Sequence, residues 1–151
     1  MMNSPQSQNE TTPNGADERP LILVIDDDQR MARALSLLLD DWGFAYVTAE
    51  SPTAAVRSLG PRLKEVRAVI TDYHLQDGFT GIKGAAAIVK AIGRPVPTLV
   101  TTCFLDLADN LSAFPVLAKP FDPNLLRQWL IYQLENDHSF DHPAHGSPPG
   151  F

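Results

Sequence analysis

A single cysteine, Cys103, stands in 151 residues, which leaves no partner for an internal disulfide and suits a reducing compartment. No uninterrupted apolar run approaches the roughly 18 residues that a membrane helix needs, so no membrane insertion is expected. Cations are scarce. Twelve Lys and Arg face 18 Asp and Glu, a formal net charge of −6 that disfavours charge-driven binding to nucleic-acid backbones. The opening MMNSPQSQNETTPNGADERP has neither a basic nor an apolar stretch, so no secretion signal is expected. Internal repeats are absent too. A cytoplasmic protein with no DNA partner is expected.

The length allows one domain with a real core. Residues 1–19 are polar and poor in apolar anchors, and residues 137–151 are similar, so both read as disordered tails around a domain over 20–136. Three histidines, His138, His142 and His145, fall in the second tail. A flexible Pro/Gly segment gives them no fixed geometry, and they read as solvated.

Between the tails two periodicities alternate. LILVI (21–25) has the length of a buried strand, and Met31, Ala34, Leu35, Leu38, Leu39 and Trp42 then recur at helical spacing until Gly43. Asp28 can cap that helix. FAYVTA (44–49) is a second strand, and Ser51-Pro52 opens a second helix that runs to Gly60. AVIT (68–71) is a third strand, a helix follows over about 82–92, and TLVTT (98–102) is a fourth strand. DLADNLSA makes a shortened fourth helix, VLAK (116–119) a fifth strand, and Asp122-Pro123 starts the last helix. Five strands alternating with helices predict an α/β fold, a doubly wound, five-stranded parallel sheet, for which we expect the common strand order 2-1-3-4-5.

Ligands of such sheets bind beyond the carboxyl ends of the strands. The polar residues of interest all sit at those ends: Asp26 and Asp27 after strand 1, Asp72 after strand 3, Thr101-Thr102 at strand 4 and Lys119 at strand 5. Each alone is commonplace as a turn or a cap. Together, three converging carboxylates call for a hard divalent cation, and oxygen-only ligands suit Mg²⁺. Asp28 reads as the helix cap instead.

These residues carry a resemblance. The acidic run IDDD, Asp72 at the end of strand 3, Thr102 at the end of strand 4 and Lys119-Pro120-Phe121 after strand 5 resemble the receiver domains of two-component response regulators, across about residues 20–136. The acceptor loop DYHLQDGFTG is similar to that of receivers appended to hybrid sensor histidine kinases. The resemblance implies a flavodoxin-like receiver fold, with the strand order 2-1-3-4-5 of the chemotaxis receiver. It implies Asp72 as phosphoacceptor, Asp27 as a direct Mg²⁺ ligand, Asp26 as a ligand through water, and the His74 backbone carbonyl as the third protein ligand. Thr102, thirty positions past Asp72, is the implied hydroxyl residue, and Lys119 the ammonium that reaches the phosphoryl group. The implied donor is a phosphohistidine on a sensor histidine kinase or a histidine phosphotransfer protein. A cis Lys119-Pro120 peptide is implied as well.

Some features depart from the family pattern. Lys119 follows Thr102 by only seventeen positions, and Val116 stands where the family places its switch aromatic, so output is expected from another surface. Cys103 and Phe104 replace the smaller or polar residues that usually tune water access, which predicts a long-lived aspartyl phosphate unless Cys103 merely fills core space. With no DNA-binding module in sight, the expected role is a stand-alone receiver that signals to a downstream protein partner or relays the phosphoryl group, with no turnover on an external substrate. Two alternatives stay open: a Mg²⁺-dependent phosphohydrolase using the Asp26-x-Asp28 spacing, and an interaction scaffold that is never phosphorylated.

Overall fold

The computed structural model describes residues 18–74, 81–103 and 114–136. Five parallel strands form one sheet in the order β2-β1-β3-β4-β5: β1 (Leu21–Ile25), β2 (Ala45–Ala49), β3 (Val66–Asp72), β4 (Thr98–Thr102) and β5 (Val116–Ala118). The described helices are α1 (Gln29–Asp41), α2 (Pro52–Leu59), α3 (Gly81–Ile92) and α4 (Pro123–Glu135). The expected order and alternation are therefore present. The shortened helix expected over DLADNLSA lies outside the described residues, as do both tails apart from Glu18 and Arg19.

Helix starts follow the capping residues. Asp28 accepts hydrogen bonds from the N–H groups of Arg30 and Met31, Ser51 from Ala54, and Asp122 from Asn124, with Pro52 and Pro123 in the first turns that follow. The α1 chain turns back at Gly43, whose φ of 90° lies in the left-handed region that glycine tolerates. A 3-10 helix over Gly60–Glu65 was not expected; it continues beyond α2 and buries Leu63 beside Leu59.

The sheet has a core on each face. On one, Ile22, Val24, Ala68, Ile70 and Leu99 meet Leu35 and Leu39 of α1 and Leu126, Trp129 and Leu130 of α4. On the other, Leu21, Leu23, Ile25, Val66 and Val69 meet Ala55, Leu59, Ile88 and Ile92 of α2 and α3. β1 is buried throughout because it is central and covered on both sides, while β2, at the edge, alternates between half-buried and exposed.

β3 begins two residues before the expected AVIT, and the reason is a bulge. Leu21 pairs with Val66 but Ile22 pairs with Ala68, leaving Arg67 as an extra residue. Val66 and Val69 therefore share a face although three positions apart, which a plain two-residue alternation forbids. Beyond the bulge the register is regular and brings Thr71 level with Ile25.

Candidate functional site

At the carboxyl edge of the sheet, β1 delivers Asp26 and Asp27, β3 delivers Asp72, and Lys119 follows β5. Asp26, Asp27 and Asp72 each offer a carboxylate oxygen within 4.8 Å of the others. Lys119 Nζ donates to Asp72 Oδ1 at 2.9 Å and to Asp26 Oδ2 at 3.3 Å, so one ammonium bridges two strand ends. Asp26 and Asp72 are almost completely buried, and Asp27 is half-buried.

The backbone holds this arrangement in place. The Asp28 N–H donates to Asp26 Oδ1 at 2.9 Å, so the residue that caps α1 with its side chain also fixes Asp26 with its main chain. The Tyr73 N–H donates to Thr101 O at 2.8 Å, and the Lys119 N–H to Thr102 O at 2.7 Å. β4 is thereby laced to both neighbours where its two threonines sit, with Thr101 level with Asp72 and both threonines buried. The Lys119-Pro120 bond is cis, as expected.

Charge in the site is only partly balanced. Burial lifts the Asp26 carboxyl above its ordinary 3.8; the Asp28 N–H and the Lys119 charge oppose that rise without cancelling it, and the Asp72 charge adds to it. For Lys119 burial pulls downward, but the hydrogen bond to Asp72 and the charges of Asp26 and Asp72 outweigh it, and its pKa rises above 10.5. One ammonium among three carboxylates leaves room for a further cation. The clustered ligand atoms are all carboxylate oxygens, with no sulfur or imidazole among them, which fits Mg²⁺.

The remaining expected site residues are placed as follows. Thr102 ends β4, and His74 is exposed two positions past Asp72, its ring edge-on to Tyr73 with centroids 4.8 Å apart. Cys103 is exposed, so it does not fill core space; Phe104 lies outside the described residues. Asp28 Oδ1 accepts from the N–H groups of Arg30 and Met31, as expected of the α1 cap. Sequence reasoning missed the main-chain clasp of Asp28 on Asp26, because nothing in residue type marks a backbone donor. It also missed a groove of about 630 Å³ lined by residues of α1, β2 and α2, among them Arg33, Leu37, Tyr46 and Ser58, together with Asp26 and Glu50.

Comparison with known proteins gives a consistent picture. The response regulator receiver domain family matches residues 22–131. The chain is 31% identical over 119 residues to the transcriptional regulatory protein GlrR of Escherichia coli K12, covering 76% of this chain and 26% of that protein. It thus spans about a quarter of the length of the curated relatives it matches. The signal receiver domain of an HD domain-containing protein from Pseudomonas fluorescens Pf-5 superposes with a TM-score of 0.69 at 29% identity, over 80% of this chain and 98% of that one. A response regulator receiver domain protein from Clostridium thermocellum gives a TM-score of 0.60 at 28% identity, over 71% and 87% of the two chains.

Proposed function

We propose, from the premise that this chain belongs to the response regulator receiver domain family, that Asp72 accepts a phosphoryl group from a phosphohistidine donor and that the domain works as a switch. The observation that carries this reading is the Lys119 ammonium bonded at once to Asp72 and Asp26 beside a third carboxylate. A carboxylate attacks a phosphoryl group poorly because both are negative. Mg²⁺ held by Asp26, Asp27, Asp72 and the His74 carbonyl would neutralise charge on the transferring group.

The chain's own residues do the rest. An Asp72 carboxylate oxygen forms the new bond to phosphorus as the donor's N–P bond breaks, and the electron pair leaves with the imidazole nitrogen. Lys119, already aimed at Asp72, follows the charge outward onto the phosphoryl oxygens. Thr102 supplies a hydroxyl to the same group. Its backbone carbonyl is tied to Lys119, so the ends of β4 and β5 shift together and bias a two-state surface. Hydrolysis later returns the carboxylate and inorganic phosphate. The net negative charge supports output through protein contacts or onward phosphotransfer.

Incubation with acetyl phosphate and Mg²⁺, followed by intact mass measurement, tests this. Wild type should gain one phosphoryl group, while Asp72→Asn and chelator-treated wild type gain none. Labelling of Asp72→Asn would overturn the assignment. Steady release of phosphate from simple phosphate esters would instead support a hydrolase.

A further inference from the structure

β2 forms one edge of the sheet, and among the described residues nothing pairs with its outer side. Soluble proteins usually blunt such an edge with charges, proline or a bulge. The opposite edge complies: β5 is three residues long and runs into Lys119-Pro120. β2 carries no such guard. Its five residues, AYVTA, hold no charge and no proline, and they pair with β1 in unbroken register from end to end.

The backbone directions are fixed by bonds on the inner side. The Ala45 N–H donates to Pro20 O at 2.9 Å, and Ala49 O accepts from the Asp26 N–H at 3.0 Å. Odd-numbered residues thus commit their backbone groups to the β1 side, and by alternation those of Tyr46 and Thr48 face outward. The strand is also nearly palindromic. Reversed about Val47, Ala45 meets Ala49 and Tyr46 meets Thr48.

Opposed residues in an antiparallel pair alternate between hydrogen-bonded and close non-bonded positions. The palindromic register makes both Tyr46–Thr48 positions bonded ones and puts Val47 against Val47 between them. A one-residue slip would oppose Tyr46 to a residue whose groups are already spent. A two-residue slip would set Thr48 against Phe44, whose N–H is bonded to Leu39 O at 2.9 Å, or Tyr46 against charged Glu50. Tyr46 and Thr48 also lie on the α1 side of the sheet, where Leu37 is 63% exposed and Tyr46 40%. Aromatic side chains opposite β-branched ones make favourable cross-strand contacts.

The geometry points to two copies of this chain pairing antiparallel through β2, which merges two five-stranded sheets into one about a two-fold axis at Val47. The contact is small, of the class that forms transient complexes, so the dimer should be weak and concentration-dependent. Each copy carries a net charge of −6, and added salt should tighten it. The carboxylate cluster, at the ends of β1 and β3, stays open in either state.

Sedimentation velocity from about 10 µM to about 1 mM tests the pairing, since a weak dimer assembles in that range. Wild type should shift from monomer toward dimer, further at high salt. Thr48→Pro, which removes an outward N–H without taking a hydrogen bond from the β1 side, and Thr48→Lys should both stay monomeric while labelling at Asp72 like wild type. With Cys103→Ser in the background, Val47→Cys should cross-link across the axis on mild oxidation, and Tyr46→Cys should not. A chain that stays monomeric at every concentration overturns the proposal, whether its edge is bare or covered by another strand. So does a dimer that survives Thr48→Pro, or cross-linking through Tyr46→Cys in preference to Val47→Cys.

Discussion

Lys119 is the cation on which two strands of carboxylates depend, and removing it should cost more than its own contacts. Lys119→Met leaves Asp26 and Asp72 buried without their partner, a change that typically costs about 3–5 kcal/mol. Chemical denaturation without Mg²⁺ should show that loss, and acetyl phosphate labelling should fall by orders of magnitude. Asp26 behaves oppositely. Its carboxyl is lifted chiefly by burial, so the ionised form is disfavoured in the fold. Because Lys119 keeps Asp72 as a partner, Asp26→Asn should be more stable than wild type at pH 7 without Mg²⁺. The native state binds this proton before the unfolded chain does, so wild type gains stability as pH falls through the lifted value toward 3.8, and the gap should close there. The Lys119 contribution has the same slope in a more alkaline window: it is present below 10.5 and lost as pH rises through the raised value. Asp26, Asp27, Asp72 and Lys119 were legible in the sequence because each follows an apolar run of strand length. The bonds between them were not, since residue order says nothing about which oxygen an ammonium chooses.

Among the elements, α1 joins structure to chemistry through its cap. Asp28→Ala should lower stability by about 1 kcal/mol, the usual cost of losing an N-cap, and should slow labelling by loosening the clasp on Asp26. Asp28→Asn caps equally well and should label like wild type; a loss of labelling there would give the carboxylate a chemical role. In α4, Trp129 is buried with an indole N–H that has no hydrogen-bond partner among the described residues. Trp129→Phe should therefore cost far less in thermal melts than Trp129→Ala, which empties a core site at about 3–5 kcal/mol. Helix starts could be read in advance because Asp28, Ser51-Pro52 and Asp122-Pro123 announce them. The 3-10 helix could not, because Gly60 reads as a stop and six residues are too few to show a period.

At the scale of the whole molecule, alternation made a doubly wound parallel sheet legible, while the order 2-1-3-4-5 came from the common orders of such sheets and the receiver resemblance. The same assembly predicts a thermodynamic signature. Three carboxylates gathered only in the folded chain should make its melting temperature rise with the logarithm of Mg²⁺ concentration. Asp27→Ala should abolish that rise and the labelling, while leaving the metal-free protein as stable as wild type or more so; scanning calorimetry at several Mg²⁺ concentrations would show it. The bulge at Arg67, invisible to a two-residue alternation, also governs how the fold meets changes in chain length. It is slack taken up before the part of β3 that must be in step. Deleting Arg67 should be absorbed at the strand entrance, with Asp72 still level with Asp26 and labelling retained. Inserting one residue after Val69 has no slack ahead of it, and it would set Thr71 where Asp72 now stands. Gain and loss of residues should thus be tolerated on one side of Ala68 and fatal to the chemistry on the other.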